Sequence, residues 1–368
     1  MRNRLLKLLK INRLLWPVLQ ARADDKPLGW TQEECVRRLT ARHPDTGKSA
    51  LRTELLPPCD DTEYQLDIII PAYNVEAQLA GCMQSVLGQK SSYPFRVILV
   101  EDGAADRTAE IADQFAGIEN VQVIHQQNAG AAHARNTGLA ASGAPYLMFV
   151  DADDRLAPGA IQKLMDCITA QQADVAEGSY CNENGKTRRL HKQQEGLLPS
   201  MNALYGMPWG KVYRRELFEK VCFPEGYWFE DSVLHQLVLP CAGVKYGICD
   251  VVYERGINPQ GAGHISRGKA KSIDTVWLAL RLAQDRQQLG LRADQDYFEY
   301  LLNLAVLSAH RLQGLDEEVQ QAAFGVFAHQ LNTLCPGFAA QTEQRKALET
   351  ALRSKQYAKF RCWCDWLG

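Results

Sequence analysis

A short, mostly apolar run that turns abruptly polar decides the fold: Leu66-Asp67-Ile68-Ile69-Ile70-Pro71-Ala72-Tyr73-Asn74. Similar runs recur three times, and each of the four is followed by a helical pattern. The runs span 66–70, 95–100, 121–124 and 146–150, and the helical patterns span 79–87, 104–115, 129–141 and 158–170. Strands that alternate with helices predict βαβ units and a mainly parallel, Rossmann-like α/β sheet buried on both faces.

Composition and charge are ordinary for a globular enzyme. The chain has 368 residues, 46% hydrophobic and 23% charged, and 41 basic against 43 acidic side chains leave a net charge of −2. This balance argues against a nucleic-acid partner, because a nucleic-acid surface needs a basic excess. The 11 cysteines include no Cys-x-x-Cys pair, which favours reduced thiols in a cytoplasm. No apolar run reaches the roughly 18 residues that span a bilayer.

The pattern predicts three parts: a helical extension over 1–62, an α/β domain over 63–268 and a helical region over 269–368. The first 23 residues carry six basic side chains and no acid, interleaved with leucines and Trp16. They form a candidate amphipathic helix that contacts an anionic membrane surface. The alternative is a helix that packs on its own domain, and periodicity cannot separate the two.

Polar and acidic residues follow each predicted strand. Open parallel sheets bind ligands at the carboxyl ends of their strands, so these residues are the candidate site. Neither a Gly-x-Gly-x-x-Gly loop nor a Gly-Lys-Ser/Thr loop is present there. Their absence disfavours a dinucleotide dehydrogenase and a P-loop NTPase.

Asp151-Ala152-Asp153 directly follows the fourth strand. Two carboxylates on alternate positions repel each other unless a cation lies between them. A divalent metal such as Mn²⁺ or Mg²⁺, bound also to a diphosphate, supplies that charge. The alternative is an acidic turn that caps the next helix.

Four ordered motifs resemble glycosyltransferase family 2, and the match covers about Leu66 to Arg255. The motifs are Asp67 to Asn74, Val100 to Gly103 with Asp106-Arg107-Thr108, Asn128 to Gly138, and Phe149 to Asp154. The resemblance implies a GT-A fold, a nucleotide-sugar donor, a divalent metal and inversion at the anomeric carbon.

The resemblance assigns parts of the donor to individual residues. It implies that Pro71, Ala72 and Tyr73 line the nucleobase pocket and that Glu76 reaches the ribose or the base. Asp102 is expected to accept a hydrogen bond from the base imide, a contact that suits uracil. Taken singly, Tyr73 also fits an aromatic lid at the sheet edge and Asp102 a helix cap.

Three further motif residues are expected near the diphosphate and the sugar. The resemblance implies that Arg135 contacts the diphosphate, Asp151 the ribose or sugar, and Asp153 the metal. A surface ion pair is the alternative for Arg135. Family members often carry Ser or Asn after the Asp-Gly of the second motif, where Ala104 and Ala105 stand here. This departure removes hydroxyl contacts and leaves the acids in place.

Inverting transfer needs a carboxylate that removes the acceptor hydroxyl proton. Family members carry a Trp-x-Lys segment and then a Glu-Asp pair, which correspond here to Trp209-Gly210-Lys211 and Glu230-Asp231. The resemblance implies that Asp231 is the base and that Glu230 contacts the acceptor. The alternative is that both acids open the following helix.

A glycine-rich loop near residues 256–268 contains His264. In relatives, a similar loop contributes a metal ligand or a diphosphate contact, so His264 is a candidate metal ligand. The alternative is a solvated histidine. On the same argument Arg255 and Arg267 are candidate phosphate contacts.

The sequence thus predicts a metal-dependent inverting glycosyltransferase that moves a sugar from a nucleotide diphosphate sugar, with UDP as the expected nucleotide, to a glycan or lipid-linked glycan in surface polysaccharide synthesis. The expected location is the cytoplasm, at the inner face of the plasma membrane. A sugar nucleotidyltransferase is disfavoured, since no glycine-rich phosphate loop follows the first strand. The alternative from another class is a catalytically silent glycan-binding or assembly subunit that retains the fold.

Overall fold

A computed structural model describes residues 26–59, 63–183, 188–256 and 266–367. The chain divides into two compact units. One contains the sheet and comprises the described parts of Thr46–Gly261 and Arg281–Leu291. The other is helical and comprises the described parts of Met1–Asp45, Ala262–Leu280 and Arg292–Gly368.

Ten strands of the first unit form one sheet in the order β3-β2-β1-β4-β9-β6-β10-β5, with β7 paired to β6 and β8 to β10. The strands are β1 Leu66–Ala72, β2 Phe95–Glu101, β3 Val121–His125, β4 Tyr146–Phe149, β5 Arg155–Leu156, β6 Val175–Glu183, β7 Arg188–His191, β8 Gly196–Leu197, β9 Lys211–Arg214 and β10 Lys245–Arg255.

Four helices alternate with the first strands. Helix α1 Gln32–Arg42 precedes them and belongs to the helical unit. The four that alternate with strands are α2 Leu79–Leu87, α3 Thr108–Asp113, α4 Ala131–Ala141 and α5 Ala160–Ala170. Short helical turns lie at Met201–Ala203, Arg215–Phe218, Leu239–Cys241 and Ala270–Ile273, and a π-helical turn at Leu234–Val238.

Strand β1 lies at the centre of the parallel part of the sheet, between β2 and β4. Its residues Ile68, Ile69 and Ile70 are fully buried, as the unbroken β-branched run predicts for a strand covered on both faces. Helix α4 packs against β1 at Gly138, where a Cβ atom would lie 2.4 Å from Cγ2 of Ile69. A glycine is therefore required at this helix-to-sheet contact.

The carboxyl ends of four strands meet at one edge of the sheet. β1 and β4 are parallel. β9 is antiparallel both to β4 and to β6, so β6 runs in the direction of β4, and β10 runs parallel to β6. The predicted α/β architecture is confirmed. The antiparallel strand β9 connects the two parallel halves, and the short strands β5, β7 and β8 also pair antiparallel with their neighbours.

The described chain from residue 270 onward is mainly helical, as predicted. Its helices are α6 Asp274–Gln288, α7 Gln295–Arg311, α8 Glu317–Leu334, α9 Glu343–Arg353 and α10 Tyr357–Leu367. The earlier helix α1 begins with a capping box, in which Thr31 and Glu34 each bond the other's backbone N–H. None of the helices in the described ranges is both long and apolar enough to cross a membrane. The candidate membrane helix over the first 23 residues lies outside the described residues.

Candidate functional site

Three carboxylates meet in the loop between β4 and β5. Asp151, Asp153 and Asp154 each place an oxygen within 4.8 Å of the others. Asp154 is buried, whereas Asp151 and Asp153 are half-buried. The Tyr253 hydroxyl donates to Oδ2 of Asp154 over 2.8 Å and accepts from the Asp151 N–H over 3.1 Å. The tyrosine therefore fixes both ends of the acidic loop to β10.

The carboxylates of this loop repel one another. Burial first, and then the charges of Asp151 and Asp153, raise the pKa of Asp154 to about 8. Such crowding relaxes when a cation enters, and hard divalent cations prefer carboxylate oxygens. The three side chains therefore fit the divalent metal that the sequence predicts, with Asp153 in the middle of the loop.

Arg135 connects this loop to the second acidic motif. Its guanidinium donates to Oδ1 of Asp151 over 2.9 Å and to Oε1 of Glu230 over 2.6 Å, 95 positions along the chain. Arg135 is buried, and its guanidinium lies 5.4 Å from the centre of the Phe223 ring. Burial alone lowers the pKa of Arg135, but Asp151 and Glu230 outweigh it and raise the pKa. The arginine is therefore permanently charged between the two motifs.

Glu230 and Asp231 begin a helical turn. Their carbonyl groups accept the N–H groups of Val233 and Leu234, so the helix-opening alternative also describes their backbone. Phe229, immediately before them, has φ of 67°, a left-handed conformation that is rare and costly for an aromatic residue. Backbone strain of this kind clusters at functional sites. The pair is thus held at a bend.

A buried ion pair lies next to Asp231. Lys211 Nζ is 2.5 Å from Oε1 of Glu177, and both side chains are fully buried. Burial lowers the pKa of Lys211, while Glu177 and then Asp231 oppose that effect. The charge of Asp231 is therefore felt at Lys211, at the end of the Trp209-Gly210-Lys211 segment.

The loops after β1 and β2 hold each other. Oε2 of Glu76 accepts the N–H of Arg107 over 3.1 Å, and the Asn74 side chain accepts the N–H of Ala105 over 2.8 Å. Tyr73, immediately before Asn74, has 47% of its surface exposed. An aromatic face is thus open at the carboxyl end of β1, next to its last residues, Pro71 and Ala72.

Asp102 is buried and already bonded within the protein. Its carboxylate accepts hydrogen bonds from Gln126 Nε2 over 2.7 Å, the Ala129 N–H over 3.0 Å and the Gly130 N–H over 2.9 Å. These bonds hold the loop that leads into α4, where Gly130 has φ of 90°. The contact of Asp102 with a base stays a prediction, and the structure adds this loop-holding role.

Three site features depend on contacts that sequence reasoning did not identify. Asp154 belongs to the fourth motif, but the sequence assigns it no role. The sequence feature that could have pointed to it is its position as the second of two consecutive acids. Tyr253 carries no local signal, since its partner lies 99 positions away. The two contacts of Arg135 were also missed, although Arg135 itself was singled out. His264 lies outside the described residues.

Comparison with known proteins identifies the sheet domain. Residues 67–229 match the model of the family described as "Glycosyl transferase family 2". Glycosyltransferase GlyG of Streptococcus pneumoniae is 29% identical over 204 residues, which cover 49% of this chain and 67% of that protein. The uncharacterized glycosyltransferase EpsJ of Bacillus subtilis is 34% identical over 185 residues, which cover 45% of this chain and 54% of that protein. The chain thus spans between half and two thirds of these relatives.

A solved structure shares the fold. TarS from S. aureus, residues 1–349 in complex with UDP-GlcNAc, superposes with a TM-score of 0.62 at 19% identity and covers 82% of this chain and 90% of that one. The likeness confirms the expected GT-A fold. Residues 67–229 therefore match glycosyl transferase family 2, the family that the resemblance predicted.

Proposed function

We propose that this family 2 domain is a metal-dependent inverting glycosyltransferase that transfers a sugar from a UDP-sugar to a glycan or lipid-linked glycan acceptor. One observation carries the proposal. Arg135 joins the acids after β4 to the Glu230-Asp231 pair, so a group for binding a diphosphate and a group for activating a hydroxyl meet in one place.

The donor is assigned from the loops after β1 and β2. Tyr73 offers an exposed ring on which a nucleobase can pack, beside Pro71 and Ala72. Glu76 lies in the same loop, and Asp102 holds the neighbouring one. UDP-GlcNAc is bound by TarS, whose fold is similar, which supports a UDP-sugar as the donor class.

The metal would be held by Asp153 with Asp151, and Mn²⁺ and Mg²⁺ both suit carboxylate oxygens. A divalent ion bound there supplies positive charge that stabilises the departing diphosphate. Arg135 acts on the same side, because it fixes the orientation of the Asp151 carboxylate and brings a second positive charge to the loop.

The chemical step needs a base on the acceptor side. Asp231 takes the proton of the acceptor hydroxyl as its oxygen bonds to the anomeric carbon, while the bond from that carbon to the diphosphate oxygen breaks. Nucleoside diphosphate leaves with the electron pair, and attack from the opposite face inverts the anomeric centre. Glu230, whose carboxylate is paired with Arg135, contacts the acceptor in this proposal.

The acceptor is a glycan or lipid-linked glycan of surface polysaccharide synthesis, and the reaction takes place in the cytoplasm, where the chain's thiols remain reduced and the inner face of the plasma membrane is within reach. The described cysteines form no disulfide bond. The rival is a silent glycan-binding or assembly subunit. Arg135 favours the enzyme, since a silent subunit has no need of a buried cation between two acids.

Donor hydrolysis tests the proposal. The purified full chain is incubated with Mn²⁺ and each member of a panel of nucleotide sugars, and release of nucleoside diphosphate is measured. We expect release from a UDP-sugar that disappears on chelation and in Asp153→Asn. Release by none of the panel, together with unchanged activity in cells of the Asp153→Ala and Asp231→Asn variants, would support the silent subunit instead.

A further inference from the structure

Strands β10, β6 and β7 align two rows of side chains beside the acidic loop. In the first row Tyr253 lies opposite Tyr180, and Tyr180 opposite His191. In the second row Arg255 lies opposite Asn182, and Asn182 opposite Arg189. Residues directly opposite each other, and residues two apart on one strand, project from the same face of a sheet. Both rows therefore share one face.

The first row is an aromatic floor that begins at the acids. Tyr253, whose hydroxyl bonds Asp154, stacks on Trp209 with ring centres 4.4 Å apart. Tyr180 stacks on His191, also at 4.4 Å and with rings only 2° from parallel. The second row follows two residues farther along the strands, about 7 Å away. Its arginines thus stand at the far edge of this floor.

Both arginines of the second row are exposed, and neither has an acidic partner in the part of the chain that the structure describes. Within the ranges 63–183 and 188–256, no carboxylate pairs with Arg189 or Arg255. Both lie near the same ring, because the pKa of His191 is lowered by burial first and then by the charges of Arg189 and Arg255. Two like charges thus act on one ring, and no described carboxylate pairs with either.

Arg188, next to Arg189 on the same strand, is an arginine that has partners. Arg188 lies one position from Arg189 on β7 and therefore projects from the opposite face of the sheet. It donates to Oε1 of Glu254 over 3.1 Å and to Sγ of Cys181. Arg188 has the same residue type, strand and exposure class as Arg189, so it is a matched control.

The position of the two charges distinguishes the acceptor from the donor. In the sheet order, β4 and β9 separate β6 and β10 from β1, β2 and β3, whose loops we assign to the nucleotide. The strands that carry the arginines are about two strand spacings apart, roughly 10 Å. Two guanidinium forks from such strands suit a group with several acceptor oxygens, and a phosphate has more of them than a carboxylate.

We propose that Arg189 and Arg255 bind a phosphate group of the acceptor, so that the acceptor is a phosphate-bearing glycan or polyol chain. The inference rests on the proposed function and narrows its acceptor class. The half-buried His191 ring, which stacks on the buried Tyr180, then packs against the segment that leads from the phosphate to the reacting hydroxyl.

Calorimetric titration of the full chain tests the proposal with four probes: synthetic oligo(glycerol phosphate), a neutral oligosaccharide of similar length, an oligogalacturonate and UDP with Mn²⁺. The variants are Arg189→Gln, Arg255→Gln, the double variant and the control Arg188→Gln. Thermal unfolding checks that each variant folds. We expect each single variant to weaken oligo(glycerol phosphate) binding about fivefold and the double variant about thirtyfold, since charge-assisted hydrogen bonds are stronger than neutral ones but are screened by solvent at an exposed site.

UDP affinity is expected to stay within about twofold in every variant, and Arg188→Gln to leave phosphate-probe affinity within the same margin. Equal losses for UDP and for the phosphate probe would overturn the proposal and assign the arginines to the donor diphosphate. An equal loss of affinity for the oligogalacturonate would show that the arginines bind carboxylates as well, and would overturn the assignment to a phosphate. Unchanged probe binding in the double variant would overturn it altogether. Failure of the wild type to bind UDP would instead refute the proposed function. The titration with oligo(glycerol phosphate) does not depend on UDP binding, so it tests the two arginines separately.

Discussion

Two groups of aspartates stand along the strands of the sheet, and their surroundings differ. Asp67 and Asp102 are buried, and their oxygens accept hydrogen bonds from side chains and from two backbone N–H groups each. Asp151, Asp153 and Asp154 crowd within 4.8 Å of one another, and crowding and burial raise the pKa of the last of them.

The difference separates acids that hold loops from acids suited to a cation. A carboxylate whose oxygens are occupied by the chain's own donors stabilises the fold and has little left for a ligand. A carboxylate pressed against others is costly without a cation and gains when one enters. The motifs place both kinds at strand ends, and only the surroundings distinguish them.

The largest effect is expected at the crowded acids. Asp153→Asn removes a metal-binding charge, and we expect donor hydrolysis to fall about 10⁴-fold, since charge stabilisation by a metal is worth several kcal/mol. Stability in urea should stay equal or rise, because the substitution relieves repulsion among three carboxylates. A loss of more than about 2 kcal/mol in the free energy of unfolding would contradict the contrast between the two groups.

Removal of the base should have the next largest effect. Asp231→Asn keeps the shape of the side chain but cannot take a proton, and we expect the rate of transfer to fall about 10³-fold. UDP affinity, measured by calorimetry with Mn²⁺, should not change. An equal fall in UDP affinity would assign Asp231 to donor binding and leave the base to another residue.

Asp102→Ala should affect the fold more than the chemistry. Three hydrogen bonds to a buried carboxylate are lost, so the free energy of unfolding should fall by about 3 kcal/mol in urea denaturation. Asp250→Asn is the control, because Asp250 pairs with Lys163 at an exposed position and should cost less than about 1 kcal/mol. If Asp102→Ala kept its stability but lost UDP binding, the result would support the contact of Asp102 with the base. It would also contradict the distinction between acids that hold loops and acids that bind ligands.

The smallest effect concerns pH. His125 bonds Glu101 over 3.1 Å and Asp113 over 3.0 Å. The Glu101 bond first, and then Asp113, raise the pKa of His125 above its ordinary 6.5, against the lowering effect of burial. The protonated ring therefore stabilises the fold fully below about pH 6.5, and this contribution is lost as pH rises through the raised pKa.

The contribution of His125 to the free energy of unfolding is measured from unfolding curves between about pH 6 and 9, compared with those of His125→Gln. The wild-type advantage should be less than about 1 kcal/mol at the acidic end, because the side chain is 43% exposed, and should vanish at the alkaline end. An advantage that grows with pH would mean that the neutral ring is the stabilising form.

The strands were predictable because buried parallel strands are continuous β-branched runs with polar ends. The predicted run 66–70 became Leu66–Ala72, and the predicted helix 104–115 became Thr108–Asp113. The helix starts late because the N–H groups of Ala105 and Arg107 bond side chains of the loop after β1. Such tertiary bonds have no local periodicity and leave no pattern in the sequence.

The site residues were predictable as a set and not as contacts. Motif order pointed to Arg135 and to Asp153, yet neither the bond from Arg135 to Glu230 nor the bond from Tyr253 to Asp154 follows from spacing. The row that contains Arg189 depends on the pairing of β7 with β6. Strand register links residues far apart in the chain, so these contacts required the fold.

The central claim is that the acids after β4, with a divalent metal, bind a nucleoside diphosphate. Calorimetric titration of the full chain with UDP tests it most directly, with and without Mn²⁺, for the wild type and Asp153→Asn. We predict binding by the wild type that weakens at least about tenfold without Mn²⁺, and binding by Asp153→Asn that Mn²⁺ does not strengthen. Wild-type protein that binds neither UDP nor any other nucleoside diphosphate in the presence of Mn²⁺ would contradict it.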